Sequence, residues 1–195
     1  EMPGIYSNDK FDLAGFSVGI VSKKKLLHKK RVASGNIVLA IPSSGVHSNG
    51  YSLIRSILKN KKISDKLKTD LLKPTKIYTQ EVLKLVKNDL INCAAHITGG
   101  GLIDNIKRSV PNELCLNIDL AKIKTKNIFK WIKSNNISDR EMLKTFNCGI
   151  GFCLIVDIKN IKKIKKYFSR EYVPYEIGYI STDKKKENVY NKIRW

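Results

Sequence analysis

Three short polar runs carry the residue types that could do chemistry: Ser43-Ser44-Gly45-Val46-His47-Ser48-Asn49-Gly50, Thr98-Gly99-Gly100-Gly101 and Asn147-Cys148-Gly149. His47 supplies an imidazole whose ordinary pKa of about 6.5 permits proton transfer, and whose neutral ring can hydrogen-bond a developing charge. Ser43, Ser44, Ser48 and Asn49 set short polar side chains around it, while Gly45 and Gly50 let a ligand come close to the backbone. A turn of this kind ahead of a helix presents unpaired N–H groups that favour an anion. The alternative is a plain strand-to-helix turn capped by Ser48 or Asn49. The run is neither a Walker loop nor a dinucleotide fingerprint, since it lacks both the Gly-Lys-Ser/Thr ending and the three-glycine spacing.

Gly99, Gly100 and Gly101 follow Thr98 directly, and three consecutive glycines lose much backbone entropy on ordering. Phosphate or nucleotide contact explains that composition; a tight helix entry is the alternative. Asn105 and Asn147 could hold polar ligand groups. His96, ending an apolar stretch, reads either as a satisfied core residue or as a second pocket histidine. Cys148 beside Gly149 reads as a packed or ligand-adjacent thiol more readily than as a nucleophile, because no paired base is identifiable. Asp104 could approach a phosphate-associated Mg²⁺ or merely favour the first turn of a helix, and Arg108 could pair with it. Cys93, Cys115, Cys148 and Cys153 are dispersed without Cys-x-x-Cys spacing, and the chain has three histidines, so no metal-ligand cluster presents itself.

The elements that must position these runs follow from periodicity. Ile37-Val38-Leu39-Ala40-Ile41 is continuously apolar, as in a strand buried on both faces. Leu53, Ile54, Ile57 and Leu58 then recur with helical spacing, and a polar linker leads to Pro74. Tyr78, Val82, Leu85 and Val86 mark another helix, 92–97 a short strand, and Leu102, Ile103 and Ile106 a helix closed by Pro111. Leu114, Leu116 and Ile118 alternate as a strand, Ile128 to Ile132 form a helix, and a polar segment feeds the strand 152–156. A helix through Ile161, Ile164 and Phe168 precedes two tail strands joined around 183–186. The alternation of Ala14-Gly15-Phe16-Ser17-Val18-Gly19-Ile20 predicts one further strand near the start. Together these predict one domain of α/β (α+β) class, a mixed β-sheet covered by helices.

Composition narrows the function classes. The formal charge of +20 raises nucleic-acid binding, yet only six of the 37 basic residues are arginine, and the lysine runs are scattered without interleaved aromatics. A bias toward Lys, Ile and Asn accounts for the charge, and no nucleic-acid partner is expected. No apolar run approaches the roughly 20 residues of a membrane span, and the start has no signal-peptide pattern, so a cytoplasmic protein is expected. Because residue 1 is Glu, the chain reads as a fragment.

Six ordered segments resemble one family: Glu1-Met2-Pro3-Gly4, Asp12-Leu13-Ala14-Gly15-Phe16, residues 43–53, Pro74-Thr75-Lys76-Ile77-Tyr78, residues 95–101 and residues 145–151. They are similar to the C-terminal half of the phosphoribosylformylglycinamidine cyclo-ligases, also called aminoimidazole ribonucleotide synthetases. The resemblance covers nearly the whole chain. It implies an ATP-dependent ligase of purine biosynthesis, which closes formylglycinamidine ribonucleotide to aminoimidazole ribonucleotide with release of ADP and phosphate. It implies His47 as the acid-base or electrophilic residue, with Ser43, Ser44, Gly45, Ser48, Asn49, Gly50, Asn105, Asn147, Cys148 and Gly149 at the substrate. Thr98, Gly99, Gly100 and Gly101 would meet phosphate. It further implies ATP and Mg²⁺ held mainly by an N-terminal domain outside this chain, a homodimer for the intact enzyme, and little activity for the C-terminal domain alone. Other ATP-dependent enzymes of the same two-domain superfamily, a basic nucleic-acid-binding module and a structural accessory domain are the alternatives.

Overall fold

A computed structural model describes residues 15–59, 61–183 and 187–195. Six strands among these residues form one sheet: β1 (Ile37–Pro42), β2 (Cys93–His96), β3 (Cys115–Asp119), β4 (Ile150–Val156), β5 (Tyr175–Ser181) and β6 (Glu187–Tyr190). Their spatial order is β2-β4-β1-β5-β3-β6. Neighbours are antiparallel except β3 and β6, which run parallel, so the sheet is mixed as the sequence predicts.

Among the described residues seven α-helices cover it: α1 (Tyr51–Leu58), α2 (Asp65–Leu71), α3 (Thr79–Lys87), α4 (Gly101–Lys107), α5 (Asn127–Lys133), α6 (Asp139–Thr145) and α7 (Ile161–Lys165). The continuous apolar run of β1 divides by pleat. Val38 and Ala40 join a core with Ile54 of α1, Ile106 of α4, Phe129 of α5 and Met142 of α6, while Leu39 and Ile41 face the opposite core with Leu85 of α3 and Ile164 of α7. All four β1 side chains are fully buried. Helices on both faces therefore explain a strand with no polar alternation.

The sequence reading needs three corrections. The "polar linker" before Pro74 contains α2, started by Ser64, whose side chain accepts from the Leu67 N–H at 3.3 Å. The polar segment before residue 145 contains α6, capped likewise by Ser138 on the Glu141 N–H at 3.1 Å. The strand expected over 14–20 is not present in its described part: Gly15–Ile20 forms no regular secondary structure and pairs with no described strand, and Phe16, Val18 and Ile20 are 94%, 87% and 101% exposed. Alternation can mark a strand, but only a neighbouring edge makes one, and none of the described strands pairs with this segment. Glu1 to Ala14, which carry the first two resembling segments up to that point, lie outside the described residues, as do 184–186 in the tail connection. The two tail strands are present as β5 and β6, with β3 between them.

Candidate functional site

Topology brings the three polar turns to one edge of the sheet. β1 and β2 both pair antiparallel with β4, so they run in the same direction and their carboxyl ends flank the start of β4. The turns after β1 and β2 and the turn before β4 therefore meet. Ser43 N–H donates to Gly149 O at 2.8 Å, and Asn147 Nδ2 donates to Gly45 O at 2.9 Å. A Cβ on Gly99 would lie 4.0 Å from Asn49 Oδ1, which closes the triangle.

Within this cluster the predicted residues separate into those that hold the turns and those that remain accessible. Asn147 is buried, and its Oδ1 also accepts from the Gly149 N–H at 2.8 Å, so both ends of its amide staple backbone. Asn105, also buried, donates from Nδ2 to Gly101 O at 2.6 Å, Gly99 O at 3.2 Å and Thr98 O at 3.3 Å. It folds the glycine turn around itself. Cys148 is buried in the left-handed region at φ 51°, its Sγ 3.4 Å from Met142 O, and burial pushes its thiol up to about 12. Gly45, Gly101 and Gly149 are buried too. The Gly101 N–H is taken by Thr98 O at 3.1 Å. A Cβ on Gly149 would stand 2.7 Å from Lys124 O. Ser43 is fully buried, and its Oγ has no partner among the described residues. Ser44 is half-buried, its hydroxyl donating to Pro74 O at 2.6 Å and accepting from Lys76 N–H at 3.2 Å. The accessible members are Ser48 and Gly99, with Asn49, Gly50, Thr98 and Gly100 half-exposed.

Removing the Asn147 amide should therefore loosen two turns at once. Asn147→Ala leaves the Gly45 carbonyl and the Gly149 N–H buried and unpaired, at a cost of about 3 kcal/mol. The midpoint of urea unfolding reads this directly. An unchanged midpoint would refute the stapling role.

His47 is 4% exposed and sits at φ 59°. Its Nε2 accepts from the Ser44 N–H at 3.2 Å, which leaves the neutral ring's proton on Nδ1. That Nδ1 is buried and has no partner among the described residues. Close backbone explains the room for the ring: a Cβ on Gly151 would overlap the Tyr78 hydroxyl and lie 2.5 Å from His47 Cε1. Burial, with a smaller repulsion from His96, pulls the His47 pKa down to about 4. The ring is thus neutral at physiological pH and presents a donor, with its other nitrogen already engaged.

A pH dependence follows. The unfolded imidazole takes up its proton near pH 6.5 and the folded one only near 4, so the unfolded state binds more protons between those values. The stability associated with the neutral ring is complete above about pH 6.5 and is lost as pH falls toward about 4, by a total of about 3 kcal/mol. Burial lowers the His96 pKa as well, which acts in the same direction. Urea midpoints measured across this range should fall in the parent and fall less in His47→Asn. Parallel curves would reject a buried neutral His47.

His96 is exposed at the end of β2. Its exposure rules out the reading as a satisfied core residue, and it lines a groove beside the three turns. Sequence reasoning did not single out Tyr78 for the site, yet its hydroxyl donates to Pro42 O at 2.9 Å and its ring lies 6.2 Å from that of His47. The signal was present in the Pro74-Thr75-Lys76-Ile77-Tyr78 segment, where Tyr78 read as an apolar helix position. Asp104 and Arg108 both approach Gly100, within 3.7 Å of where its Cβ would be. Among the described residues no three His, Cys, Asp or Glu side chains are grouped to hold a metal ion. No described helix is long and apolar enough to cross a membrane.

Comparison with known proteins gives three results. Residues 33–191 match the family model described as AIR synthase related protein, C-terminal domain. The phosphoribosylformylglycinamidine cyclo-ligase of Streptococcus pneumoniae serotype 4 is 41% identical over 197 residues, covering 96% of this chain and 56% of its own length, and that of strain Hungary19A-6 gives the same figures. The chain thus spans about half the length of the curated relatives it matches. Among solved structures, thiamine-monophosphate kinase from Stenotrophomonas maltophilia superposes with a TM-score of 0.60 at 14% identity, covering 89% of this chain and 56% of that one. Phosphoribosylformylglycinamidine synthase II from Thermotoga maritima does so with a TM-score of 0.52 at 12% identity, over 83% of this chain and 24% of its own. At these identities the structures share the fold.

Proposed function

The chain belongs to the AIR synthase related family as its C-terminal domain, and from that membership we propose that it forms one wall of a cyclo-ligase site that closes formylglycinamidine ribonucleotide to aminoimidazole ribonucleotide. The observation that carries the reading is the meeting of three polar turns at one sheet edge, around a buried histidine that holds an unused donor.

ATP would supply the phosphoryl group that makes the substrate's amide oxygen a leaving group for attack by the amidine nitrogen. Such chemistry needs positioning and charge stabilisation more than an enzyme nucleophile, and the deeply buried, un-ionised Cys148 is consistent with that. Thr98, Gly99 and Gly100 are the accessible part of a turn suited to phosphate. Ser48 and Asn49 stand at the mouth of the neighbouring turn and would orient the substrate. His47 would act as an electrophilic donor through Nδ1–H, because Nε2 is occupied by the Ser44 N–H and the low pKa keeps the ring neutral. The donor is shielded in this structure, so the turn must shift for an acceptor to reach it. The described residues do not make a Mg²⁺ cage. The reading assigns that ion, much of the ATP contact and a homodimer surface to the remaining length of the relatives, and places the enzyme in the cytoplasm without a nucleic-acid partner.

Full-length protein given ATP and formylglycinamidine ribonucleotide should release ADP in step with aminoimidazole ribonucleotide, whereas the 195-residue chain should yield neither. Product formation by this chain at a full-length rate would overturn the division of labour. ADP release that depends instead on thiamine monophosphate would move the protein to another branch of the superfamily.

A further inference from the structure

Beside the polar turns lies a groove of about 430 Å³ whose character is different. His96 and Phe152 are cross-strand partners on β2 and β4, and their rings are stacked at 5.7 Å with an interplanar angle of 28°. Tyr78 meets them from the side, 6.1 Å from His96 at 63° and 5.3 Å from Phe152. The opposite wall comes from α3, through Thr79, Val82 and Leu83. Lys76 also lines the groove, but it is ion-paired to Glu81 at 2.9 Å with side chains only 15% and 21% exposed. The groove therefore offers ring faces and two threonine hydroxyls, with its single lysine neutralised. That suits an uncharged planar ring better than a phosphate.

Its position adds to this. His96 stands two residues before Thr98 at one end, and at the other Thr75 Oγ1 lies 3.3 Å from Ser48 Oγ. The groove thus runs between the turn after β1 and the turn after β2. At its lip Ile77 and Leu83 are 76% and 61% exposed, apolar surface that a bound ring would partly cover.

We propose that this groove holds the planar heterocycle of a nucleoside or nucleotide, stacked against His96 and Phe152, with its sugar directed toward the Thr98–Gly100 turn. The inference rests on the cyclo-ligase reading only for the choice of adenosine as probe.

The chain has three histidines, which makes ring-proton NMR a direct test: His96 lines the groove, His47 lies behind Tyr78, and His28, which does not line it, serves as the reference. Adenosine should shift the His96 ring protons saturably and leave His28 unmoved, while ribose 5-phosphate, which lacks the heterocycle, should leave His96 unmoved. His96→Ala should weaken adenosine binding by about 5- to 150-fold, the range for losing one stacking partner. Leu83→Arg on the exposed face of α3 should weaken it too without touching β2, which covers the case of a poorly folded His96 variant. A His96 signal indifferent to millimolar adenosine, equal shifts from ribose 5-phosphate, or parent-like affinity in the folded variants would overturn the proposal. Turnover by the full-length protein is scored separately: its absence removes the cyclo-ligase reading while a His96 shift stands, and its presence without any shift removes the groove alone.

Discussion

Replacing Gly101 with alanine should cost about 4 kcal/mol or more, whereas the same change at Gly100 should cost only about 1–2 kcal/mol. Both glycines have positive φ, at 73° and 93°. A Cβ on Gly101, however, would overlap the Leu143 carbonyl oxygen and lie 2.9 Å from that of Lys144, where α4 packs on the end of α6. Backbone cannot swing aside as a side chain can. At Gly100 the nearest atoms are side-chain atoms of Arg108 and Asp104 at 3.7 Å, so the penalty there is mainly conformational. Urea unfolding of the two variants measures the contrast. Equal costs would refute the close helix approach. The result also bears on function, because it assigns the third glycine of the run to packing and leaves Gly99 and Gly100 for a ligand.

For His47 the expected loss is in turnover. In the full-length enzyme under saturating substrates, His47→Ala should lower kcat by about 10²–10³-fold, the usual effect of removing one preorganised donor. Stability alone would not identify the cause, since the variant also removes the acceptor of the half-buried Ser44 N–H. Two isosteric changes separate the roles. Asparagine can keep a donor near the position of Nδ1 and tolerates the left-handed backbone at φ 59°. Glutamine can keep an acceptor for Ser44 near the position of Nε2 but removes the Nδ1–H. If the free donor matters, asparagine retains more kcat than glutamine. If His47 only ties its own turn, glutamine does at least as well in both turnover and thermal midpoint.

The elements with one strong periodicity are legible in the sequence. β1 and β4 announce themselves as continuous apolar runs, and α1 and α3 as stripes, because burial on two faces or on one leaves a simple pattern. α2 and α6 are harder to read. Each is seven residues long and rich in charge, and each depends on a serine cap, Ser64 or Ser138, that reads equally well as part of a loop. The 14–20 segment errs the other way, since alternation is local while strand pairing is not.

The site shows the same division. Polar glycine runs locate its three turns, but composition cannot tell a residue that touches a ligand from one that holds the turn. Asn105 and Asn147 look like ligand groups until their amides are found bound to Gly101, Gly45 and Gly149 backbone. His96 needs the third dimension too, because only cross-strand pairing with Phe152 sets it in an exposed aromatic wall.

The place of β5 has a consequence for how the protein is made. β2, β4 and β1 lie side by side and are complete once residue 156 has been synthesised, so the edge that carries the polar turns can pair early. β3 is translated before β4, yet it reaches the sheet only through β5, which ends at Ser181 and inserts between β1 and β3. Until β5 is available, β1 and β3 each present an open edge. Long-range pairings of this kind form slowly and leave intermediates prone to association. The site-bearing strands β2, β4 and β1 can therefore pair without β5, while joining β3 and β6 to them depends on a strand that follows all the others in sequence except β6.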